Sequence, residues 1–125
     1  MQIEVAVGVI VKENKVLIAK RAIHQHQGNL WEFPGGKIHS NETAIQALKR
    51  ELAEEVQIIV QQADELMTIE HHYLDKAVKL HVYLVKEFSG IAKGLESQPI
   101  KWVAIDKLKN YEFPVANQAI IERLS

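Results

Sequence analysis

The chain has 125 residues, of which 47% are hydrophobic and 25% charged, and its formal net charge is -1. These values are typical of a globular domain and argue against intrinsic disorder. The absence of cysteine excludes disulfides, thiolate metal sites and cysteine nucleophiles. A nearly neutral chain without a long apolar stretch has no general attraction for nucleic-acid polymers or membranes. We therefore expect a single cytoplasmic domain over residues 1–125, acting as a monomer.

The first third of the chain predicts strands and turns. Apolar residues alternate through residues 3–11 with neighbours that are also mostly small or apolar, which predicts a strand buried on both faces. A polar turn at residues 13–15 precedes a second predicted strand over residues 16–19. Residues 22–32 lack periodicity and predict a loop. The Pro-Gly-Gly triplet at residues 34–36 predicts a turn that permits close approach of a ligand.

A helix is predicted after this turn. Thr43 and Gln46 have the spacing of a capping box, which would begin the helix at Ala44. The apolar residues of the helix follow at steps of three and four: Ile45, Leu48, Leu52 and Val56. The helix should end at Gln57, where a left-handed backbone would cost a residue other than glycine roughly 1 kcal/mol. We expect either a local stability penalty there or a different cap.

Three glutamates of this helix, Glu51, Glu54 and Glu55, lie within an arc of roughly 100° beside the apolar stripe. Like charges at these spacings repel, so the helix gains from them only when a cation binds between them. Carboxylate oxygens suit Mg²⁺ or Mn²⁺, and Mg²⁺ typically completes its coordination with waters and substrate phosphates. The alternative is a solvated acidic face with an i,i+4 ion pair between Arg50 and Glu54. The preceding diglycine turn favours the metal site.

The second half of the chain predicts further strands and a last helix. Two strands over residues 66–73 and 79–88 are joined by a turn near residues 74–76. A loop over residues 90–99 precedes a short strand over residues 102–105, and Pro114 opens a C-terminal helix. The histidines could suggest a second metal site, but their spacing makes strand or surface positions the better interpretation: His24, His26, His71, His72 and His81.

The spacing of Gly36, Glu42, Arg50-Glu51-Leu52 and Glu54-Glu55 resembles the signature of the Nudix hydrolases. The family carries glycine at the position of Gln57, and the chain departs from the pattern there.

The resemblance continues outside this signature, from residues 5–8 through residues 31–38 to residues 112–117, and so covers essentially the whole chain. It implies an α/β fold in which a mixed β-sheet is sandwiched between helices, the Nudix α/β/α sandwich. Interleaved strands and helices without a regular βαβ repeat are consistent with this fold.

The resemblance also implies a Mg²⁺ site, with Mn²⁺ as a possible substitute. Its ligands would be the carbonyl of Gly35 and the carboxylates of Glu51, Glu54, Glu55 and Glu96. Among these, Glu51, Glu54 and Glu96 are the candidate catalytic residues. The alternative for Glu96 is an ordinary exposed loop acid.

Three residues of the signature are expected to be structural. Gly36, Glu42 and Arg50 occupy positions that orient the helix and its loop in the family, so a substitution at Glu42 or Arg50 should reduce activity indirectly.

Substrate selection must come from outside the signature. Asn117 is the candidate base-reading residue, because one amide supplies a donor and an acceptor to a guanine edge; the alternative is helix capping. Phe33 would line the base pocket or simply pack in the core, and Arg21 would contact substrate or be a surface charge. Asp75 matches a substrate loop in the family, where Lys76 replaces arginine and loses a planar fork.

These features indicate a Mg²⁺-dependent nucleoside triphosphate pyrophosphohydrolase. The family member that the chain resembles hydrolyses oxidised guanine nucleotides, so the expected substrates are 8-oxo-dGTP and 8-oxo-GTP, cleaved to the monophosphate and pyrophosphate. Such an activity would sanitise the nucleotide pool and prevent mutation. The alternatives are hydrolysis of another dNTP, a dinucleotide or a nucleotide sugar, and a non-catalytic nucleotide sensor. Sensors usually lose the glutamates of the signature, and here all remain.

Overall fold

The computed structural model describes residues 2–21 and 28–125. Its strands are β1 (Gln2–Lys12), β2 (Lys15–Lys20), β3 (Trp31–Glu32), β4 (Gly35–Lys37), β5 (Ile59–His72), β6 (Ala77–Ser89) and β7 (Ile100–Ala104). Its helices are α1 (Ala44–Val56) and α2 (Gln118–Leu124), with 3₁₀ turns at Ile105–Asn110 and Val115–Asn117. None of the described helices has the length and apolar character needed to cross a bilayer.

Strand β1 is the centre of a mixed sheet. It pairs in parallel with β6 and antiparallel with β2 and β4. The strand order is β3-β2-β1-β6-β5, while β4 also pairs with β1 and β7 with β2. This arrangement places the glycines of β4 directly beside the middle of β1, with Gly35 opposite Val7.

Both faces of β1 are buried, as its sequence predicted. Ala6 and Ile10 belong to the core under α1, whereas Val7 and Val9 belong to the core on the opposite face. The second core also contains Ile120 of α2, so helices cover the sheet from both sides. The α/β/α architecture is therefore confirmed.

Close packing of α1 on β1 depends on Gly8. A Cβ atom on Gly8 would lie 2.9 Å from Leu52 Cδ1 and 3.3 Å from Leu48 Cδ1. These distances are shorter than ordinary carbon contacts, so a side chain at residue 8 would displace the ends of these buried leucines. The helix that carries the signature glutamates is consequently held directly against the central strand.

The ends of α1 agree with the sequence prediction. Thr43 Oγ1 accepts a hydrogen bond of 3.2 Å from the Gln46 N–H, and Gln46 Oε1 accepts one of 2.8 Å from the Thr43 N–H. Gln57 ends the helix in the left-handed conformation with a φ of 62°. Its side-chain Nε2 donates to the Ile91 carbonyl at 2.9 Å. The stability penalty expected at this residue stays a prediction.

The loop predicted over residues 22–32 is wrong at its end. Trp31 and Glu32 form β3, which pairs with β2 at Lys20 and Ala19. A two-residue strand has no periodicity of its own, so only its partner reveals it. Residues 22–27, with His24 and His26, lie outside the described residues.

The Pro-Gly-Gly triplet is also more regular than predicted, because its two glycines begin β4. Strand β5 starts at Ile59, seven residues before the predicted start at Leu66. Register shifts between Val60 and Met67 interrupt its alternation, which hides the first half of the strand.

The remaining boundaries differ by a few residues. Strand β6 begins at Ala77 and ends at Ser89, slightly beyond the prediction at both ends. Strand β7 ends at Ala104, where a 3₁₀ turn that the pattern did not predict follows. The C-terminal α-helix begins at Gln118, because a 3₁₀ turn separates it from Pro114.

Candidate active site

One cleft of about 910 Å³ contains both acidic and apolar residues. Its acidic lining comprises Glu32, Glu51, Glu55 and Glu96. The same cleft reaches Val78, Leu80, Ala116 and Asn117. A volume of this size is suited to a ligand as large as a nucleotide.

Glu55 is the most unusual acid of the cleft, because its residue is only 7% exposed. The Gly35 N–H donates to Glu55 Oε2 at 3.2 Å. Burial, with the nearby charge of Glu32 as the next cause, raises the pKa of Glu55 from 4.5 to about 8, although the Gly35 hydrogen bond acts in the opposite direction. A charged Glu55 is therefore costly in this environment unless a cation approaches it.

Both glycines of β4 stand in close contacts: Gly36 makes room for the carboxylate of Glu51, and Gly35 lets β4 approach β1. A Cβ on Gly36 would lie 2.3 Å from Glu51 Cδ, and a Cβ on Gly35 would lie 2.0 Å from the Ala6 carbonyl oxygen. Any larger residue would push the strand away from β1 or the carboxylate away from the strand. Gly36 therefore lies in close contact with Glu51, and its structural role in the signature stays a prediction.

Arg50 connects the loop before α1 to the helix. Its Nη2 and Nε donate to the two carboxylate oxygens of Glu42 at 2.6 and 3.1 Å. The same guanidinium donates to the Lys37 carbonyl at 3.1 Å and to Glu51 Oε1 at 2.7 Å. Hydrogen bonding to Arg50 lowers the pKa of Glu42 to about 2. This network joins the loop before α1 to the helix, and the orienting role of Glu42 and Arg50 stays a prediction.

Glu54 is more exposed than Glu51, although the two carboxylates share Arg50 Nη1 as a partner. Its side chain is 60% exposed, and its Oε1 is 3.4 Å from Arg50 Nη1, as in the alternative ion pair. It is absent from the described lining of the cleft. Across residues 2–21 and 28–125, no three acidic or histidine side chains form a preassembled metal site. The metal-binding role of Glu54 stays a prediction.

Glu32 also lines the cleft, although no pattern in the sequence predicted it as a site residue. Burial raises the pKa of Glu32, and an ion pair with Arg21 partly offsets this effect. Arg21 also lines the cleft, and its predicted contact with substrate stays a prediction. Only the pairing of β3 with β2, which places Glu32 beside Ala19, would have predicted Glu32 as a residue of the site.

Asn117 lies in the cleft without acting as a helix cap. It immediately precedes α2, yet its side chain makes no capping hydrogen bond. Its backbone N–H instead donates to the Pro114 carbonyl at 2.9 Å. The side-chain amide of Asn117 therefore does not cap α2, which was the alternative to base recognition.

The other predicted substrate residues differ in their placement. Phe33 is 3% exposed and stacks on Phe113 with ring centroids 5.1 Å apart, so it packs in the core while also lining the cleft. Asp75 is exposed on the β5–β6 turn and is absent from the described lining, whereas its neighbour Lys76 is part of it. The structure does not bring Asp75 to the cleft, because the turn directs the lysine there.

The donors of the cleft fit a hard divalent cation in their chemistry. Glu51, Glu55 and Glu96 offer carboxylate oxygens, the ligands that Mg²⁺ and Mn²⁺ prefer. Burial, followed by the charge of Glu32, raises the pKa of Glu55 and so disfavours its charged form when no cation is bound. A dication would supply positive charge and would also neutralise bound phosphates.

Comparisons with known proteins identify the family. Residues 6–123 match the NUDIX domain. The 8-oxo-dGTP diphosphatase of Escherichia coli (strain K12) is 39% identical over 124 residues, covering 98% of this chain and 96% of that protein. The CTP pyrophosphohydrolase of the same organism is 31% identical over 120 residues, covering 96% of this chain and 89% of that protein.

A solved structure from work on MutT of Aliivibrio salmonicida and Vibrio cholerae has a TM-score of 0.84 and 32% identity, covering 99% of this chain and 97% of that chain. The sequence match, the shared architecture and the retained glutamates lead to one conclusion: the chain belongs to the family of Nudix hydrolases.

Proposed function

We propose that the protein hydrolyses 8-oxo-dGTP and 8-oxo-GTP to the monophosphate and pyrophosphate, and so removes oxidised guanine nucleotides before they mispair. The observation that carries the proposal is that Glu51, Glu55 and Glu96 line the same cleft as Asn117. A nucleotide bound there can expose its phosphates to the acids and its base to the amide. The similarity to the 8-oxo-dGTP diphosphatase of E. coli supports the same substrate.

The proposed metal site uses the Gly35 carbonyl and the carboxylates of Glu51, Glu54, Glu55 and Glu96. When bound, Mg²⁺ supplies positive charge to the phosphates and lowers the pKa of bound water. A water molecule would attack the β-phosphorus. The bond from that phosphorus to the oxygen between the α- and β-phosphates would break, and this oxygen would leave with the nucleoside monophosphate. Glu51 or Glu96 is the candidate acceptor of the water proton.

The protein's own residues would orient the substrate. Arg50 holds Glu51 through the 2.7 Å hydrogen bond, so the acid is fixed before substrate arrives. Arg21 lines the cleft and pairs with Glu32, and its guanidinium suits a phosphate or base oxygen. Asn117 would donate to and accept from the oxidised guanine edge. We propose that the substrate is a free nucleotide and that the protein acts as a monomer.

The test is a product assay with a panel of nucleotides, with and without Mg²⁺. We expect a much higher kcat/KM for 8-oxo-dGTP than for dGTP, release of pyrophosphate, and loss of turnover when the cation is removed. A ratio near one would exclude the sanitising role.

CTP belongs in the panel, because the similarity to a CTP pyrophosphohydrolase makes another nucleoside triphosphate the second candidate substrate. A dinucleotide and a nucleotide sugar complete the panel. Absence of hydrolysis for every compound, together with nucleotide binding, would instead favour a sensor.

A further inference from the structure

The loop over residues 90–99 is attached to the C-terminal end of α1. The Lys93 N–H donates to the Val56 carbonyl and the Leu95 N–H to the Glu55 carbonyl, each at 3.0 Å. The last carbonyls of a helix have no partner within the helix and need one from outside. The loop that carries Glu96 therefore completes the end of the helix that carries Glu55.

One side-chain amide in this loop joins the two acids. Gln98 Nε2 donates to the Glu55 carbonyl at 2.9 Å, and Gln98 Oε1 accepts from the Glu96 N–H at 2.9 Å. Each end of the amide thus meets a group of the complementary kind. If the amide of Gln98 were reversed, its oxygen would face the Glu55 carbonyl oxygen and its N–H groups would face the Glu96 N–H. The two partners therefore determine the orientation of the amide.

The loop is folded closely around this glutamine. A Cβ on Gly94 would lie 2.1 Å from the Gln98 carbonyl oxygen and 3.1 Å from its Oε1. The Ser97 N–H donates to the Gly94 carbonyl at 3.2 Å, and Ser97 has a φ of 63°. A left-handed residue other than glycine is uncommon and persists only where its surroundings enforce it. Gln98 is consequently held in one position rather than extended into solvent.

We infer that Gln98 is a positioning residue that holds Glu96 at a fixed place relative to Glu55. Both carboxylates line the cleft with Gln98 itself. The amide bonds the backbone of each acid and neither carboxylate. The inference rests on the proposed function, in which Glu55 and Glu96 bind the same cation and phosphate group.

The first test measures divalent cation binding in the full-length protein. Free Mn²⁺ is followed by electron paramagnetic resonance, so the readout needs no turnover. Gln98→Ala removes both hydrogen bonds and should raise the Kd for Mn²⁺ roughly tenfold. Gln98→Glu keeps an acceptor for the Glu96 N–H but places an oxygen against the Glu55 carbonyl, and should weaken binding to a similar extent. Thermal melts confirm that each variant is folded.

A double-mutant cycle shows whether Gln98 acts through Glu96. In a Glu96→Gln background, Gln98→Ala should change the Kd for Mn²⁺ by less than about twofold, because the acid that it positions is already lost. Gln57→Gly is the matched control: it removes the other side-chain link of the loop, to Ile91, and should change the Kd by less than about twofold.

The same variants are assayed for hydrolysis with varied Mg²⁺. Gln98→Ala should raise the Mg²⁺ concentration for half-maximal rate roughly tenfold while KM for the nucleotide at saturating Mg²⁺ stays within about twofold. Parent-like Mn²⁺ binding in Gln98→Ala would overturn the inference. So would a full additional effect in the Glu96→Gln background, or an equal effect of Gln57→Gly.

Failure of the proposed function has a different signature. A parent protein that hydrolyses none of the nucleotides, but shows the expected Mn²⁺ cycle, would contradict the enzymatic proposal and support the positioning role. Unchanged Mn²⁺ binding in Glu96→Gln would contradict the metal-binding assignment of Glu96, and the inference would fall with it.

Discussion

Replacing Glu55 with glutamine should stabilise the metal-free protein while abolishing its turnover. Glu55 is 7% exposed, and burial is the main reason that its pKa rises from 4.5 to about 8. Near neutral pH the unfolded chain readily ionises this group, whereas the folded protein must either retain a proton or bury a charge. The acid therefore opposes folding in the absence of a cation.

The sign of the pH dependence follows from these two pKa values. Between about pH 4.5 and 8 the folded state binds more protons than the unfolded state, so the free energy of unfolding falls as the pH rises. The raised pKa of Glu55 lowers the free energy of unfolding at pH 7 by on the order of 3 kcal/mol. Glutamine has a similar shape, carries no charge and still accepts a hydrogen bond from the Gly35 N–H, so Glu55→Gln should recover most of this loss.

The assay is urea denaturation of metal-free protein across this pH range in the presence of a chelator. Glu55→Gln should lose much less stability than the parent as the pH rises, and the two curves should converge near pH 4.5. Glu54→Gln is the matched control, because its side chain is 60% exposed on the same helix, and it should follow the parent within about 0.5 kcal/mol. Both variants should lower kcat by orders of magnitude. Parallel pH curves for Glu55→Gln and the parent would refute the reasoning.

Three further variants test individual contacts. Glu42→Gln should lower the melting temperature at pH 7, with the difference from the parent closing as the pH falls from 4.5 towards 2, because Arg50 stabilises the charged acid; equal melting curves at pH 7 would contradict this. Asn117→Ala should raise KM for 8-oxo-dGTP more than for dGTP, and equal increases would exclude base recognition. Gln57→Ala should be less stable in urea than Gln57→Gly by about 1 kcal/mol, because both lose the bond to Ile91 but only alanine keeps the left-handed strain; the reverse order would exclude that strain.

Regular sequence patterns predicted the central strand and the first helix. The alternation through β1 and the capping box of α1 arise from contacts between near neighbours in sequence, and both agree with the structure. Strand β3 and the start of β5 were missed because their reasons are not local. The first depends on pairing with β2, and the second contains register shifts that interrupt the alternation.

The candidate site shows the same division. The signature indicated Glu51 and Glu55, since acids at helical spacing are visible in sequence. It did not indicate the burial of Glu55, which depends on packing, or the participation of Glu32 and Gln98, which reach the cleft from a short strand and a loop. Residues without a periodic context become site candidates only when tertiary contacts bring them together.

Two acids that line the cleft are locally unfavourable. Glu55 is a buried acid with a raised pKa, and burial also raises the pKa of Glu32. Such features persist only where the surrounding structure enforces them, and here β1 is buried on both faces beneath the site. The energy lost at the cleft is thus offset by the packing of the sheet. A bound cation would neutralise the charge on Glu55 that opposes folding. Binding of a cation and a nucleotide should therefore stabilise this protein more than the same ligands would stabilise a protein whose cleft lacks that buried charge.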